Sequence, residues 1–179
     1  FPIGYPNAQM PDPLAINIGT TLPFSLQGQN LNIGYSTSDP QSLLNIINDT
    51  SGIVPNTDYG FELSFLRLMK DQSNVYSNSI KTAYQYSYQD NIAYSTDQLA
   101  QQLKIVARLI NGGLKTPVYI VKHPQSFDSH EFQLEVGSKQ TGKHADNLKV
   151  LSDSILAFQQ DLLRLNKSDN VVGMTFSEF

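Results

Sequence analysis

Apolar residues recur along this chain in two rhythms, one helical and one strand-like. In HADNLKVLSDSILAFQQDLLRL (144–165), Leu148, Leu151, Ile155, Phe158, Leu162 and Leu165 recur at alternating spacings of three and four. That pattern predicts a long helix with one apolar stripe. Leu99, Leu103, Val106 and Ile110 mark a second helix; Ser95 and Gln98 stand at capping-box spacing before it, and Gly112-Gly113 end it. A third helix is predicted from Thr57 or Asp58, with Phe65, Met69, Tyr76, Ile80 and Tyr84 on roughly one face. SDPQSLLNIIND (38–49) reads as a short helix capped by Asp39, with Pro40 at the first position, where its missing N–H costs nothing.

The strand-like runs are shorter. LAINIG, PFSLQ and LNIGY are β candidates in a Pro-, Asn- and Gly-rich opening. TPVYIVKH (116–123) is β-branched and apolar with weak alternation, which predicts a strand buried on both faces, as in parallel sheets. NVVGMTF (170–176) reads as another. Strand, helix, strand is a βαβ unit, so these two strands are expected to be parallel with a right-handed crossover. The fold class expected is α/β, one domain or part of one. An irregular β-containing segment spans 1–56, a helical segment 57–113 and the βαβ unit 114–179.

Composition narrows the partners. The chain has 179 residues, 16% of them charged, and a net charge of -4 with no clustering of Lys and Arg. That argues against nucleic acid or an anionic membrane as partner. There is no cysteine, hence no disulfide and no thiolate metal site, and no apolar run long enough to span a bilayer. The chain opens FPIGYPN without a Met and stops three residues after an apolar run, so a piece of a longer protein is expected.

The βαβ expectation gathers the polar residues. Both strands' carboxyl ends and the helix's amino end share one edge, where open α/β sheets bind ligands. His123 ends the first strand, Asp128 and His130 follow it, His144 opens the helix and Glu178 follows the second strand. In an extended segment Asp128 and His130, two apart, leave the same face. A carboxylate and an imidazole there suit Zn, Mn or Fe, or with more oxygen ligands Mg or Ca. The plainer reading of SFDSH (126–130) is a polar turn. A Ser-His-Asp triad with Ser126, Ser129 or Ser177 competes, without a G-x-S-x-G elbow. Neither GYSTSD nor GSKQTGK has P-loop spacing.

VYIVKHPQSFDSHEFQ and HADNLKVLSDSILAFQQDLLRLNKSDNVVGMTFSEF resemble the exported family called domain of unknown function 1501. Phe127, Asp128, Ser129 and His130 match its Gly-Gly-Phe-Asp-Thr-His motif; His144, Phe158, Asp161 and Leu162 match its helix; Thr175 to Phe179 match its closing Thr-Phe-Ser/Thr-Glu-Phe. LAINIGTTLPFSLQG and LAQQLKIVARLINGGL also look like this family. Gln125-Ser126 replaces the glycine pair, which reshapes the approach to a ligand. The family in turn resembles the alkaline phosphatase and sulfatase superfamily. The resemblance implies an alkaline-phosphatase-like parallel sheet with flanking helices, export to the periplasm or beyond, and a divalent metal (Zn, Mn, Mg or Ca). Asp128, His130, Glu178 and His144 are the candidate ligands, and a small-molecule or polymer phosphate or sulfate ester is the substrate. The superfamily's nucleophile strand would lie upstream of Phe1, so the chain is expected to be inactive alone.

The alternative is a non-catalytic exported protein that keeps the fold and binds carbohydrate or another polymer. QYSYQDNIAY (85–94) would supply an exposed aromatic surface, although buried or half-buried tyrosine is the commoner case.

Overall fold

Residues 10–27, 34–46, 52–130 and 133–177 are described in a computed structural model. Three short strands, β1 (Ala15–Ile18), β2 (Gly34–Thr37) and β3 (Val118–Ile120), form a parallel sheet in the order β2-β1-β3. Three helices accompany it: α1 (Asp58–Gln85), α2 (Gln98–Asn111) and α3 (Lys143–Arg164). The protein is therefore α/β.

β1 is central because its residues can be buried on both faces. Ala15, Ile16, Asn17 and Ile18 are all buried, and Ile16 pairs with Tyr35 of β2 and Tyr119 of β3. The one polar member, Asn17, donates to Thr21 O at 2.9 Å and to Ser36 Oγ at 3.3 Å. Ile16 and Ile18 meet Ile80 and Ala83 of α1, Val106 and Leu109 of α2, and Leu114. Each such isoleucine contributes about 2 kcal/mol by leaving water.

The helices lie close to their expected places, with different details. Thr57 caps α1, accepting from Gly60 N at 3.2 Å. Tyr76 and Ile80 are buried, but Phe65 on the same stripe is 45% exposed, so only the second half of α1 faces the core. The Ser95-Gln98 capping box does not form. Asp97 is the N-cap, and Ser95 Oγ donates to Asp97 Oδ2 at 2.6 Å instead. At the far end Gly112 lets α2 approach α1: a Cβ there would lie 2.0 Å from Ala83 O.

Several strand and helix expectations are corrected. PFSLQ forms a 3-10 turn at Phe24–Leu26, and the helix expected over 38–49 shortens to a 3-10 turn at Pro40–Ser42, where Asp39 accepts from Gln41 N. Residues 47–49 of that expectation, and the first three of LNIGY, lie outside the described residues. The TPVYIVKH strand is three residues long and lies at the sheet edge, with Val118 45% exposed rather than buried on both faces. Thr116 turns aside to bond Pro13 O at 2.7 Å, and Pro117 cannot donate to a ladder. NVVGMTF forms no strand among the described residues. A 3-10 turn at Ser168–Asn170 ends the helical region, and Val172, Met174 and Phe176 beyond it are exposed. The second strand of the expected βαβ unit is thus missing, and parallel pairing comes from β1 with β2 and β3.

The tyrosine tract is packed rather than displayed. Asp161 of α3 is fully buried and receives the phenols of Tyr88 and Tyr94 together with both Nε and Nη2 of Arg164. Burial, then the hydrogen bond to Asp161, pushes the Tyr88 phenol far up; burial and the Asp161 charge do the same at Tyr94. Tyr84 lies under the Arg108 guanidinium, 3.9 Å from ring centroid to Cζ. Tyr86 is the tract's one exposed tyrosine.

Candidate functional site

The segment after β3 crosses the carboxyl edge of the sheet. Its start is held from α2, where buried Gln102 accepts from Lys122 N at 2.9 Å. His123 precedes Pro124, a position biased to extended backbone. Gln125 N donates to His123 Nδ1 at 3.2 Å, and His123 Nε2 is buried without a hydrogen-bond partner.

Asp128 and His130 come together, by another route than an extended strand. His130 has φ +44, in the left-handed region, so the chain turns sharply there. The turn brings His130 Nε2 to 2.9 Å from Asp128 Oδ1, with the side chains 81% and 39% exposed. A carboxylate oxygen and an imidazole nitrogen thus converge on one solvent-facing point.

The other predicted site residues do not join that point. The Phe127 ring stands between His123 and His144, with centroids 5.1 and 6.1 Å away, so His144 is tied to the loop through an aromatic edge. Glu178 lies outside the described residues. Among the described residues no group of three or more His, Cys, Asp or Glu side chains could hold a metal ion. Two of the three candidate serines do not stand beside a base as nucleophiles: Ser129 is buried with its Oγ unpartnered, and Ser126 Oγ accepts from Asp128 N at 3.1 Å.

Two features were missed by pattern reading. Asn147 is buried on α3, and its amide donates to Ser126 O at 3.0 Å. It lies three residues after His144, on the same helical face, and that spacing was the available signal. Gly142, with φ +137, lets α3 start against the loop: a Cβ there would stand 2.5 Å from Gln133 O, and His144 N donates to that same oxygen at 3.3 Å.

The donor pair fits part of a cation shell. Two ligand atoms that each lie about 2.1 Å from one tetrahedral ion stand roughly 3.4 Å apart. Asp128 Oδ1 and His130 Nε2, at 2.9 Å, are at direct ion-pair or hydrogen-bond distance and closer than that, so the open, solvent-exposed pair would have to part by a few tenths of an ångström to share an ion. A closed shell needs further donors.

No family model, curated protein or solved structure matches the chain. No helix among the described residues is long and apolar enough to cross a membrane.

Proposed function

We propose that the chain is part of an exported, metal-dependent hydrolase of phosphate or sulfate esters with an alkaline-phosphatase-like fold. The observation that carries this is the 2.9 Å approach of His130 Nε2 to Asp128 Oδ1 on a loop leaving the carboxyl end of a parallel strand. Ligand sites of open α/β sheets lie at that edge. The agreement of SFDSH and of His144, Phe158, Asp161 and Leu162 with the family motifs adds support.

Asp128 and His130 would hold a divalent ion, with Glu178 as the next donor by the resemblance; His144, edge-on to Phe127, would have to move to join them. Bound there, such an ion supplies neutralisation of ester oxygens and activation of the attacking group. The chain's own contribution is to present one carboxylate oxygen and one imidazole nitrogen side by side. Their solvent exposure leaves the approach open to a bulky or polymeric ester.

The test is elemental analysis of the protein purified without chelator, beside Asp128→Ala. Near-stoichiometric Zn, Mn, Fe, Mg or Ca that disappears in the variant supports the reading. Metal-free protein, or metal content indifferent to the substitution, makes SFDSH a polar turn and ends it.

A further inference from the structure

We propose that Asn147 is the positioning residue for the loop that carries Asp128 and His130. The inference rests on the metal-site reading above and extends it to a side chain that touches neither donor.

Asp128 and His130 are exposed, so burial does not hold them in place. Besides buried Ser129 between them and the Phe127 ring before them, a chain of two hydrogen bonds rooted in α3 ties this loop. Asn147 is 5% exposed on the second turn of that helix and donates from Nδ2 to Ser126 O at 3.0 Å. Ser126 Oγ in turn accepts from Asp128 N at 3.1 Å. One residue thus passes the rigidity of a 22-residue helix to the backbone of the donor loop. Asn147 works beside two other ties, Gln102 to Lys122 N at the loop's start and His144 N to Gln133 O beyond it. Of these three hydrogen bonds it alone grips the loop within two residues of Asp128, beside the aromatic contact of Phe127 with His144.

The residue type fits this role. Asparagine is a mediocre helix former and costs free energy when buried unpaired. A buried asparagine inside a helix needs a partner, and here the partner is a loop carbonyl. The Asn147→Asp substitution would keep the shape and set a carboxylate oxygen against Ser126 O, replacing attraction by repulsion. Groups that orient metal ligands from behind change metal affinity by about ten- to hundredfold when removed.

The test compares the full chain with Asn147→Asp and Asn147→Ala in two measurements. Amide hydrogen exchange at Asp128 is expected to accelerate at least about tenfold in both variants, while exchange at Leu103 and Val106 of α2 stays at the wild-type rate. Mn2+ affinity, read by titration, is expected to fall about tenfold or more. A folded variant with unchanged exchange at Asp128 overturns the positioning role. If Mn2+ binds the wild type and the variants equally, the role for the metal site is overturned as well. Should Mn2+ bind none of the three proteins, the hydrolase reading fails, and exchange at Asp128 still decides whether Asn147 holds the loop. The near-isosteric Asn147→Asp keeps the comparison decisive if Asn147→Ala does not fold.

Discussion

The phenol of Tyr88 donates to the carboxylate of Asp161, 73 residues further along the chain. Tyr94 adds a second phenol at 3.1 Å and Arg164 closes the other oxygen with two bonds. The segment between α1 and α2 is thereby fastened to α3 through one buried anion. A buried carboxylate is tolerated only when it is paired and hydrogen-bonded, and this one is both.

Removing that anion therefore costs more than any one of its bonds. Asp161→Ala leaves two phenols and a guanidinium facing an apolar hole and is expected to destabilise the protein by about 3 kcal/mol. Tyr88→Phe removes a single donor and should cost about 1 kcal/mol. Urea denaturation of the two variants checks the order; equal small losses would show that Asp161 is not the hub.

The same network sets an alkaline limit. Tyr88 and Tyr94 have phenols whose folded-state values are pushed up, first by burial and then by Asp161. A group raised on folding contributes stability that is whole below its unfolded value, about 10 for tyrosine, and is lost as pH climbs beyond it. Stability is expected to start falling at about pH 10 and to go on falling as pH rises further toward the raised folded-state values, and the Tyr88→Phe/Tyr94→Phe protein should show a shallower fall. Parallel pH profiles of the two proteins would expose the idea as mistaken.

Gly112 and Gly113 are neighbours with different reasons for being glycine. At Gly112 a Cβ would overlap Ala83 O at 2.0 Å, whereas at Gly113, with φ +83, it would meet nothing within 4 Å but would strain the backbone. Gly112→Ala must push α1 and α2 apart and should cost roughly 3 kcal/mol. Gly113→Ala bears only the left-handed penalty of about 1 kcal/mol. Thermal melts of both variants measure the difference.

Tyr84 and Tyr86 separate packing from display. Tyr84 stacks under Arg108, whose Nη2 also donates to Tyr84 O at 2.9 Å, while Tyr86 is 59% exposed. Tyr84→Ala should lower stability by about 2 kcal/mol and Tyr86→Ala by less than about 0.5 kcal/mol. A polymer-binding surface would instead show itself as ligand affinity lost on Tyr86→Ala with stability intact.

The helices were legible because their information is local. The three-and-four spacing of Leu99, Leu103 and Val106, and Thr57 ahead of Asp58, already specify α2 and the start of α1. Even so, the buried face of α3 centres on Asn147, Ser154, Ala157 and Asp161 as well as Leu162. Small and polar residues sit where α3 meets its neighbours, which an apolar stripe does not reveal. The approach of Asp128 to His130 follows from their spacing, but not through an extended backbone; the left-handed turn at His130 is set by how the loop folds back.

By itself the sequence determined an α/β chain, its three helices and a polar Asp-His pair beyond an apolar run. Only the tertiary structure decided that β1 is central, that NVVGMTF remains outside the sheet, that the tyrosines serve Asp161 and that Asn147 reaches Ser126. The physical reason is separation along the chain. Helical caps and stripes act within a few residues, whereas strand order, buried hydrogen bonds and the partner of a buried carboxylate depend on residues brought together only after long loops have closed.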